Sequence, residues 1–259
     1  MYQNIVKYTL FKTVMKQEVF VSIVSATLNE KGNILNLIDR IQTSTKDIPH
    51  ELIIVDDNSS DGTIDELERM EATDCGLTVI VNDRREGLLK SNLRGLRHAS
   101  GNMMIVMDSD LQHPPEKIPY IVKEIENGSS GVIMSRFIEE SLVVRRNPMR
   151  SYATSAAIAL CHTLLPPTRR YKDPISGYFG FNREVKIPYD KILELFDGRI
   201  AYKTLIPILA GNADKKFTEL PFHFVKRNWG QSKIVTENFF SRYLSELNSY
   251  RAILREKAY

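Results

Sequence analysis

The sequence has 259 residues, of which 42% are hydrophobic and 26% are charged, and its formal net charge is +3. This composition is sufficient for one large folded domain, and it excludes an intrinsically disordered chain. The weak positive charge gives no reason to expect binding to nucleic acid, and the two cysteines, Cys75 and Cys161, are too few for a disulfide framework.

Both cysteines are expected to be reduced and to have packing roles, as is usual in a cytosolic protein. No segment reaches the roughly 20 consecutive apolar residues that a membrane-spanning helix needs. Lys7, Lys12 and Lys16 interrupt the apolar residues near the N-terminus, so we do not expect a secretory signal. We therefore expect a cytoplasmic protein that meets a membrane only at its surface.

Short β-rich segments alternate with helical patterns from residue 19 onwards. Strands are predicted at residues 19–26, 52–55, 77–81 and 103–107, and helices at residues 32–44, 63–70, 88–99 and 115–126. This alternation is typical of βαβ crossovers, so it predicts an α/β fold with a mostly parallel sheet between layers of helices. In such sheets ligands bind beyond the carboxyl ends of the strands.

The second half of the sequence is less regular. It predicts a helix at residues 147–165 and strands at residues 177–182 and 217–225. Apolar residues then recur at helical spacing, at Phe239, Phe240, Tyr243, Leu244, Leu247, Tyr250 and Leu254. This stripe could rest on a membrane or be buried against the domain. We divide the chain into an N-terminal extension (1–18), a main domain (19–235) and a C-terminal amphipathic helix (236–259).

Two carboxylates, Asp108 and Asp110, follow the fourth predicted strand. Side chains alternate along an extended backbone, so we expect both to point to the same side. Mg²⁺ and Mn²⁺ favour one or two carboxylates together with phosphate oxygens and water. The motif therefore predicts a divalent cation site, to which Gln112 could add an oxygen ligand. A solvated turn that caps the next helix is the alternative, and His113, before two prolines, is expected to be structural.

Polar residues also follow the second predicted strand, in the segment from Val55 to Thr63. Carboxylates at such a position can accept hydrogen bonds from a base or a ribose. Capping of the next helix by Ser59, Ser60 or Asp61 is an alternative that is compatible with this role.

Basic residues surround a short apolar helix at residues 152–165. They are Arg136, Arg145, Arg146, Arg150, Arg169, Arg170, Lys172, Lys226, Arg227 and Lys233. An apolar helix between arginines is typical of elements that rest on anionic lipid headgroups. A core helix with solvated ends has the same composition, so this pattern alone leaves both interpretations open.

Six short motifs follow one another between residues 19 and 233. They are Ala26-Thr27-Leu28-Asn29-Glu30, Val55-Asp56-Asp57-Asn58-Ser59, Asp108-Ser109-Asp110-Leu111-Gln112-His113-Pro114-Pro115-Glu116, Ser135-Arg136-Phe137, Asp173-Pro174-Ile175-Ser176-Gly177-Tyr178 and Pro221-Phe222-His223-Phe224 with Arg227 and Gly230-Gln231-Ser232-Lys233. In this order they resemble dolichyl-phosphate mannose synthases, which are inverting family 2 glycosyltransferases with a GT-A fold. The resemblance implies transfer of a hexose, with GDP-mannose favoured as donor, to a dolichyl or polyprenyl phosphate at the cytoplasmic face of a membrane.

The resemblance also implies roles for single residues. The residues expected to bind the nucleotide-sugar are Ala26, Leu28, Glu30, Val55, Asp57, Asp108, Ser109, Asp110, Arg136, Arg227 and Lys233. The expected ligands of Mg²⁺ or Mn²⁺ are Asp108, Asp110 and Gln112. The expected acceptor-phosphate site consists of Arg136, Arg150 and Thr154, and the residues expected to act in catalysis are Asp110, Arg136 and Arg227.

A lipid phosphate is already anionic, so transfer of a sugar to it needs no general base. This agrees with the sequence, in which none of the histidines is an obvious catalytic residue. Asp173 could act as a base, although Asp-Pro before Ser-Gly is more typical of a turn. Two alternatives remain: a family 2 enzyme that uses UDP-glucose or a glycan hydroxyl, and a non-catalytic module that binds nucleotide or lipid. The expected partners include the membrane surface and, in some relatives, a small membrane subunit, but not nucleic acid.

Overall fold

The computed structural model describes residues 19–73, 76–139, 141, 148–196, 203–224 and 239–256. Within these ranges the strands are β1 (Val21–Thr27), β2 (His50–Asp56), β3 (Leu77–Val81), β4 (Met103–Val106), β5 (Gly131–Ser135), β6 (Phe179–Asn182) and β7 (Phe217–Pro221). The α-helices are α1 (Lys31–Ser44), α2 (Thr63–Glu71), α3 (Leu88–His98), α4 (Ile118–Glu126), α5 (Pro148–Leu164), α6 (Tyr189–Leu195), α7 (Leu205–Gly211) and α8 (Phe239–Glu256). Two 3₁₀ helices span Pro115–Lys117 and Pro166–Arg170.

All seven strands belong to one sheet, in the order β3-β2-β1-β4-β6-β5-β7. β1 pairs in parallel with β2 and β4, β2 with β3, and β5 with β7. β6 is the exception, because it runs antiparallel to both of its neighbours, β4 and β5. The prediction of a mostly parallel sheet in an α/β fold is confirmed.

The central strands are buried along almost their whole length because helices cover both faces of the sheet. Every residue of β1 and of β5 is buried, as expected for strands that have no solvent-facing side. Ile23 and Ile54 pack in the cluster on one face, with residues of α1 and α4. Val24 and Ile53 pack in the cluster on the other face, with residues of α3 and α7.

The predicted elements of the first half agree with the structure to within a few residues. In the second half, β5, α6 and α7 were not predicted, and the strand predicted at residues 177–182 begins only at Phe179. The strand predicted at residues 217–225 is observed as Phe217–Pro221, and residue 225 lies outside the described residues. Residues 1–18 also lie outside them, so the division of the chain into three segments stays a prediction.

The C-terminal helix α8 packs on the rest of the chain through its apolar stripe. Tyr243, Leu247 and Tyr250 are buried in a third cluster that includes Ala157 and Cys161 of α5. The hydroxyl of Tyr243 donates a hydrogen bond to the carbonyl of Ala157 (3.1 Å). The second interpretation of this stripe, burial against the domain, is therefore the correct one for these three residues.

Cys161 has the packing role that the sequence predicts. Its thiol is fully buried, and burial raises its pKa to about 11, so it is inert at neutral pH. Cys75 lies outside the described residues. None of the helices in the described part of the chain is long and apolar enough to cross a membrane.

Candidate active site

The carboxyl ends of β1, β2 and β4 lie at one edge of the sheet, and the backbone is strained there. Asn29, Asn58 and Leu111 have φ angles of 51°, 63° and 62°, and they are the only non-glycine residues with positive φ in the described ranges. Each follows one of these three strands. This conformation costs a non-glycine residue about 1–3 kcal/mol, and it concentrates at functional sites. This edge of the sheet is therefore the candidate site.

A hydrogen-bond network joins the ends of β1 and β2. Asp56 Oδ1 accepts from the main-chain N–H of Ser59 (2.7 Å), and its Oδ2 accepts from the hydroxyl of the same residue (2.6 Å). Ser59 Oγ in turn accepts from the N–H of Asn29 (2.7 Å). Burial raises the pKa of Asp56, although the two hydrogen bonds from Ser59 act against this. The network holds the two strained loops against each other.

Asp57 has a structural role that the sequence did not indicate. Its carboxylate is buried and accepts hydrogen bonds from the side-chain amide of Asn82 (3.0 Å), the N–H of Glu86 (2.7 Å) and the N–H of Gly87 (2.9 Å). These donors belong to the loop between β3 and α3, so Asp57 fixes that loop beside the site. Its predicted contact with the nucleotide stays a prediction.

Five further residues predicted to bind the donor lie at the same edge. Ala26 and Val55 are buried and stand opposite each other in the register of β1 and β2. Glu30 is buried directly before α1, and Leu28 is partly buried next to it. Ser109 Oγ donates to the carbonyl of Ala26 (3.2 Å), which joins the acidic motif to the end of β1. The structure therefore brings these residues together.

Asp108 and Asp110 lie in a bend beyond β4, which ends at Val106. The side chain of Asp108 is 34% exposed, whereas Asp110 is buried. Asp110 Oδ1 accepts a hydrogen bond from the N–H of Gln112 (3.0 Å), across the left-handed residue Leu111. The expectation that strand alternation would orient the two carboxylates is wrong, because the backbone is no longer extended here. The bend sets their positions instead.

His113 is structural, as the sequence predicts. Its Nδ1 accepts a hydrogen bond from the N–H of Asp108 (2.9 Å). Because an amide can only donate, Nδ1 carries no proton, and its 3.7 Å approach to Asp108 Oδ2 is not an ion pair. The ring stacks on Tyr178 at 5.2 Å and meets the edge of Phe222 at 5.8 Å. His113 thus fixes the main chain of the acidic motif on an aromatic base.

The main chain at Gly177 runs directly against this motif. A Cβ atom added to Gly177 would lie 3.0 Å from Asp108 Oδ2 and 3.1 Å from Cε1 of His113. Any larger residue would therefore displace the carboxylate, the imidazole ring or the loop itself. The absence of a side chain allows the segment before β6 to approach the acidic motif this closely.

Arg136 and Asp173 form a buried ion pair next to the acidic motif. Asp173 is fully buried, and the side chain of Arg136 is 13% exposed. The guanidinium donates from Nε to Oδ2 (2.7 Å) and from Nη2 to Oδ1 (2.7 Å), and the Arg136 N–H also donates to Oδ2 (3.1 Å). Burial by itself would lower the pKa of Arg136, but Asp173 and, more weakly, Asp108 raise it overall. Arg136 is therefore a permanent cation held close to Asp108.

The geometry of this ion pair bears on whether Asp173 acts as a general base or forms a turn. The N–H of Ser176 donates to the carbonyl of Asp173 (3.2 Å), which is the hydrogen bond of the predicted turn. Both carboxylate oxygens accept from Arg136. Asp173 therefore orients the arginine and is poorly placed to accept a proton from a substrate.

Sequence reasoning missed one cation at this centre, Lys203. It lies just before α7, and its side chain is partly buried. Burial, together with the positive charge of Arg136, lowers the pKa of Lys203, while the charges of Glu246, Asp108 and Asp173 act in the opposite direction. No local signal marks it, because the residues around it come from distant parts of the chain.

Four predicted residues are placed incompletely. Arg150 and Thr154 lie one turn apart on α5, where Thr154 is partly buried and the side chain of Arg150 lies outside the described part. Arg227 and Lys233 also lie outside the described residues. The roles of all four stay predictions.

The acidic motif fits a hard divalent cation. Asp108, Asp110 and Gln112 offer only oxygen ligands, which Mg²⁺ and Mn²⁺ prefer. No group of three or more histidine, cysteine, aspartate or glutamate side chains converges anywhere in the described ranges. An ion bound here would therefore complete its coordination with substrate phosphate and water, as is usual for Mg²⁺.

Comparison with known proteins identifies the family. The sequence model of glycosyl transferase family 2 matches residues 22–186. The chain belongs to this family. It is 34% identical over 220 residues to the dolichol-phosphate mannosyltransferase of Pyrococcus furiosus, which covers 85% of this chain but only 60% of that protein's length. It is 29% identical over 232 residues to the enzyme of the same name from Mycosarcoma maydis, covering 87% of this chain and 77% of the relative. The predicted resemblance to dolichyl-phosphate mannose synthases is confirmed.

Solved structures agree on the fold. Glucosyl-3-phosphoglycerate synthase from Mycobacterium tuberculosis, in complex with Mn²⁺, UDP-glucose and phosphoglyceric acid, superposes with a TM-score of 0.61 at 19% identity, covering 90% of this chain and 81% of that one. Mannosyl-3-phosphoglycerate synthase from Rubrobacter xylanophilus gives a TM-score of 0.62 at 16% identity, covering 93% and 75%. The predicted GT-A fold is confirmed.

Proposed function

We propose that this glycosyltransferase moves a hexose from a nucleotide-sugar to the phosphate of a dolichyl or polyprenyl lipid. The observation that carries the proposal is that two side chains beside the acidic motif that could act as a general base are both engaged. Asp173 uses both oxygens on Arg136, and His113 uses Nδ1 to accept from the main chain. A hydroxyl acceptor would need such a base, whereas a lipid phosphate is ionised near neutral pH. An anionic acceptor fits this centre better.

The reaction is a single displacement at the anomeric carbon. One phosphate oxygen of the lipid forms a bond to C1 of the sugar while the bond from C1 to the donor diphosphate breaks. The electron pair of that bond leaves with the nucleoside diphosphate, and one displacement inverts the configuration at C1. Asp108, Asp110 and Gln112 would hold Mg²⁺ or Mn²⁺, which would neutralise charge on the leaving diphosphate. Arg227 and Lys233 add positive charge to the same phosphates.

GDP-mannose is the donor that we propose, because the relatives above are named dolichol-phosphate mannosyltransferases. UDP-glucose is the second candidate, because a protein of the same fold was solved with it. The two donors are compared by measuring initial rates of transfer to polyprenyl phosphate at equal concentrations. A higher rate with UDP-glucose would replace mannose by glucose without changing the proposed reaction.

The central experiment measures sugar release from the nucleotide-sugar with and without polyprenyl phosphate, in Mg²⁺, in Mn²⁺ and in excess EDTA. We expect release to depend on both the lipid and the metal, and the product to be a lipid-phosphate sugar of inverted configuration. Release that polyprenyl phosphate does not accelerate, or transfer to a glycan hydroxyl instead, would contradict the proposed acceptor. Full activity in EDTA would contradict the proposed metal.

The acceptor phosphate is proposed to bind Arg136, Arg150 and Thr154. Because Arg150 and Thr154 lie one turn apart on α5, the two positions share one face of the helix. Arg150→Ala should raise the KM for polyprenyl phosphate by roughly tenfold or more, since a charge-assisted hydrogen bond contributes about 1.5–3 kcal/mol. Binding of the nucleotide-sugar, measured by calorimetry, should be unchanged. The opposite pattern would show that donor and acceptor roles are exchanged.

We propose that the protein works as a peripheral protein on the cytoplasmic face of a membrane. The lipid acceptor lies in a bilayer, and α5 presents the 77% exposed side chain of Tyr152, followed after the helix by the exposed residues Arg169 and Arg170. Each basic residue near an anionic surface contributes about 1 kcal/mol. Reversing the charges of Arg169 and Arg170 should weaken binding to anionic liposomes by about tenfold or more. Charge reversal at Arg84, whose side chain is 82% exposed, serves as the control.

Flotation at low salt checks this surface. Binding that is equally weak in the native chain and in the charge-reversed variants would contradict a membrane contact through α5. In that case a separate small membrane subunit, the other partner that we consider, would have to recruit the enzyme.

A further inference from the structure

The carboxylate of Glu219, on β7, binds the main chain of the loop that carries Asp173. Its Oε2 accepts a hydrogen bond from the N–H of Lys172 (2.8 Å), and its Oε1 accepts one from the N–H of Asp173 (3.0 Å). Glu219 is partly buried, and Asp173 is fully buried. Because each oxygen binds a different one of two consecutive amides, the carboxylate fixes the orientation of this part of the loop as well as its position.

This contact bridges the strand that leads into the site. In the sheet β5 lies between β6 and β7. The loop of Asp173 leads into β6, and Glu219 stands opposite Ile133 in the register of β5 and β7. Arg136 comes directly after β5. Glu219 therefore ties together segments from the two strands that enclose β5, at the level where Arg136 meets its carboxylate partner.

The ion pair leaves one edge of the Arg136 guanidinium outside the contact with Asp173. A guanidinium carries five N–H donors in one rigid plane. Asp173 accepts from Nε and from one hydrogen of Nη2, so Nη1 and the other hydrogen of Nη2 form an outer edge that is not part of the pair. The plane and direction of this edge follow from the position of the Asp173 carboxylate, and hence from the main chain that Glu219 holds.

Aromatic rings restrict the same guanidinium further. Its central carbon lies 5.4 Å from the ring centre of Phe137 and 5.7 Å from that of Phe224, distances at which a cation and a ring attract each other. Phe224 follows β7 by three residues. The chain at β7 thus acts on Arg136 twice, once through Glu219 and the loop of Asp173, and once through an aromatic ring.

We propose that Glu219 is a positioning residue for glycosyl transfer: through the main chain of Asp173 it holds the outer edge of Arg136 in the orientation that binds the acceptor phosphate. This role rests on the proposed function, which supplies the lipid phosphate. Two parallel N–H donors bind phosphate oxygens well only when the guanidinium plane is aligned with them. A small misplacement of such a group is costly for the reaction.

Two variants of Glu219 and one control separate positioning from general stability. Glu219→Ala removes both hydrogen bonds, and Glu219→Gln keeps the shape and one acceptor oxygen. The control is Glu51→Ala, at the amino end of β2, where Glu51 Oε1 accepts from the N–H (2.7 Å) and the hydroxyl (2.8 Å) of Ser100. Glu51 is also a partly buried glutamate on a strand that holds a loop. Both alanine variants should therefore lower the melting temperature by several degrees.

The first readout is hydrogen exchange at Nε–H of Arg136, observed by ¹H–¹⁵N correlation NMR and assigned by the loss of the signal in Arg136→Lys. This proton lies in the ion pair with Asp173. Its exchange with water should be about tenfold faster or more in Glu219→Ala, and intermediate in Glu219→Gln, because the pair opens more often. Glu51→Ala should leave it unchanged. Protection in Glu219→Ala equal to that of the native chain would overturn the proposal.

The second readout is the KM for a short-chain polyprenyl phosphate. Glu219→Ala should raise this KM by about threefold to tenfold, while binding of GDP with Mn²⁺, which depends on the acidic motif, should be retained to within about twofold by calorimetry. Glu51→Ala should change neither quantity. An equal rise of the KM in both alanine variants would show a loss of stability only, and an unchanged KM despite faster exchange would show that the orientation of Arg136 does not matter for the acceptor. Either result contradicts the proposed role.

The exchange measurement needs no substrate, so it also separates this role from the proposed function. If the native chain transfers no sugar to polyprenyl phosphate, the proposed acceptor is wrong. Exchange at Nε–H of Arg136 still decides whether Glu219 positions the guanidinium.

Discussion

The buried pair of Arg136 and Asp173 allows a quantitative test of the site. Asp173→Asn keeps the shape of the side chain but removes its charge and turns one of its two acceptor oxygens into a donor. Three N–H groups of Arg136 now point at these oxygens, so at least one loses its acceptor, and the guanidinium keeps an uncompensated charge at 13% exposure. Removing one partner of a buried pair costs about 3–5 kcal/mol.

A loss of this size is easy to measure. In a protein of this length each kcal/mol lowers the melting temperature by about 2–4 °C, so we expect a fall of roughly 6–20 °C. Equilibrium urea unfolding followed by circular dichroism, after a check that refolding is complete, gives the free energy directly. The control is Asp190→Asn, which breaks the exposed pair of Arg97 and Asp190, with side chains 45% and 98% exposed. No measurable change in the midpoint is expected there.

A double substitution separates stability from activity. Replacing both partners, as Arg136→Met with Asp173→Leu, should recover most of the lost free energy, because a well-packed apolar pair avoids the desolvation of two charges. The double variant should nevertheless transfer no sugar, since the cation beside Asp108 is gone. If Asp173→Asn lowers the free energy of unfolding by less than about 1 kcal/mol, water reaches the ion pair and our account of the pair is incorrect. If the double variant is active, Arg136 has no role in catalysis.

Three further predictions follow from the geometry of the loops. Asp110→Ala should abolish transfer and leave the melting temperature nearly unchanged, and loss of Mn²⁺ binding in the presence of nucleoside diphosphate checks the cause. Gly177→Ala should weaken Mn²⁺ binding by roughly tenfold, since small displacements of ligands are costly. Gly211→Ala is the control and should leave Mn²⁺ binding unchanged, because its added Cβ would meet its nearest neighbour at 3.6 Å. Asp61→Asn should lower the free energy of unfolding by about 1 kcal/mol, because the carboxylate accepts from the first residues of both α1 and α2. Burial acts to raise the pKa of Asp61, but hydrogen bonds from the hydroxyl of Thr63 and from the N–H groups of Lys31 and Thr63 lower it overall. The loss of stability in Asp61→Asn relative to the native chain is therefore full above the unfolded pKa of about 4, and it disappears as the pH falls through the lower folded value.

The sequence was most informative where one strand leads directly into one polar loop. β1, β2 and β4 are recognisable from their apolar runs, and the acidic motif is recognisable because it follows the last of these. The positions of Asp108 and Asp110 depend on local backbone conformation, which the spacing of the residues did not reveal. A left-handed leucine at position 111 is not a conformation that sequence patterns predict.

Contacts between distant segments were the part that could not be predicted. β5 lacks alternation because both of its faces are buried, and nothing around Lys203 indicates that a helix more than forty residues later holds its backbone. The ion pair of Arg136 and Asp173 likewise joins two motifs that lie apart in the sequence. The amphipathic stripe of α8 was predicted, but a stripe does not tell which surface covers it.

The reversed direction of β6 has a consequence for the spacing between two loops of the site. Because β6 runs opposite to β4, its beginning lies beside the end of β4, with Phe179 opposite Val106 in the register. The two loops that carry Asp108 and Asp173 therefore extend from adjacent, hydrogen-bonded strand ends. Their separation is set by main-chain pairing, as it is for the two arms of a hairpin, even though some seventy residues lie between them. Substitutions that repack the surrounding helices should leave this spacing intact. The outer layers of the fold can therefore diverge while the distance between Asp108 and the buried ion pair is kept.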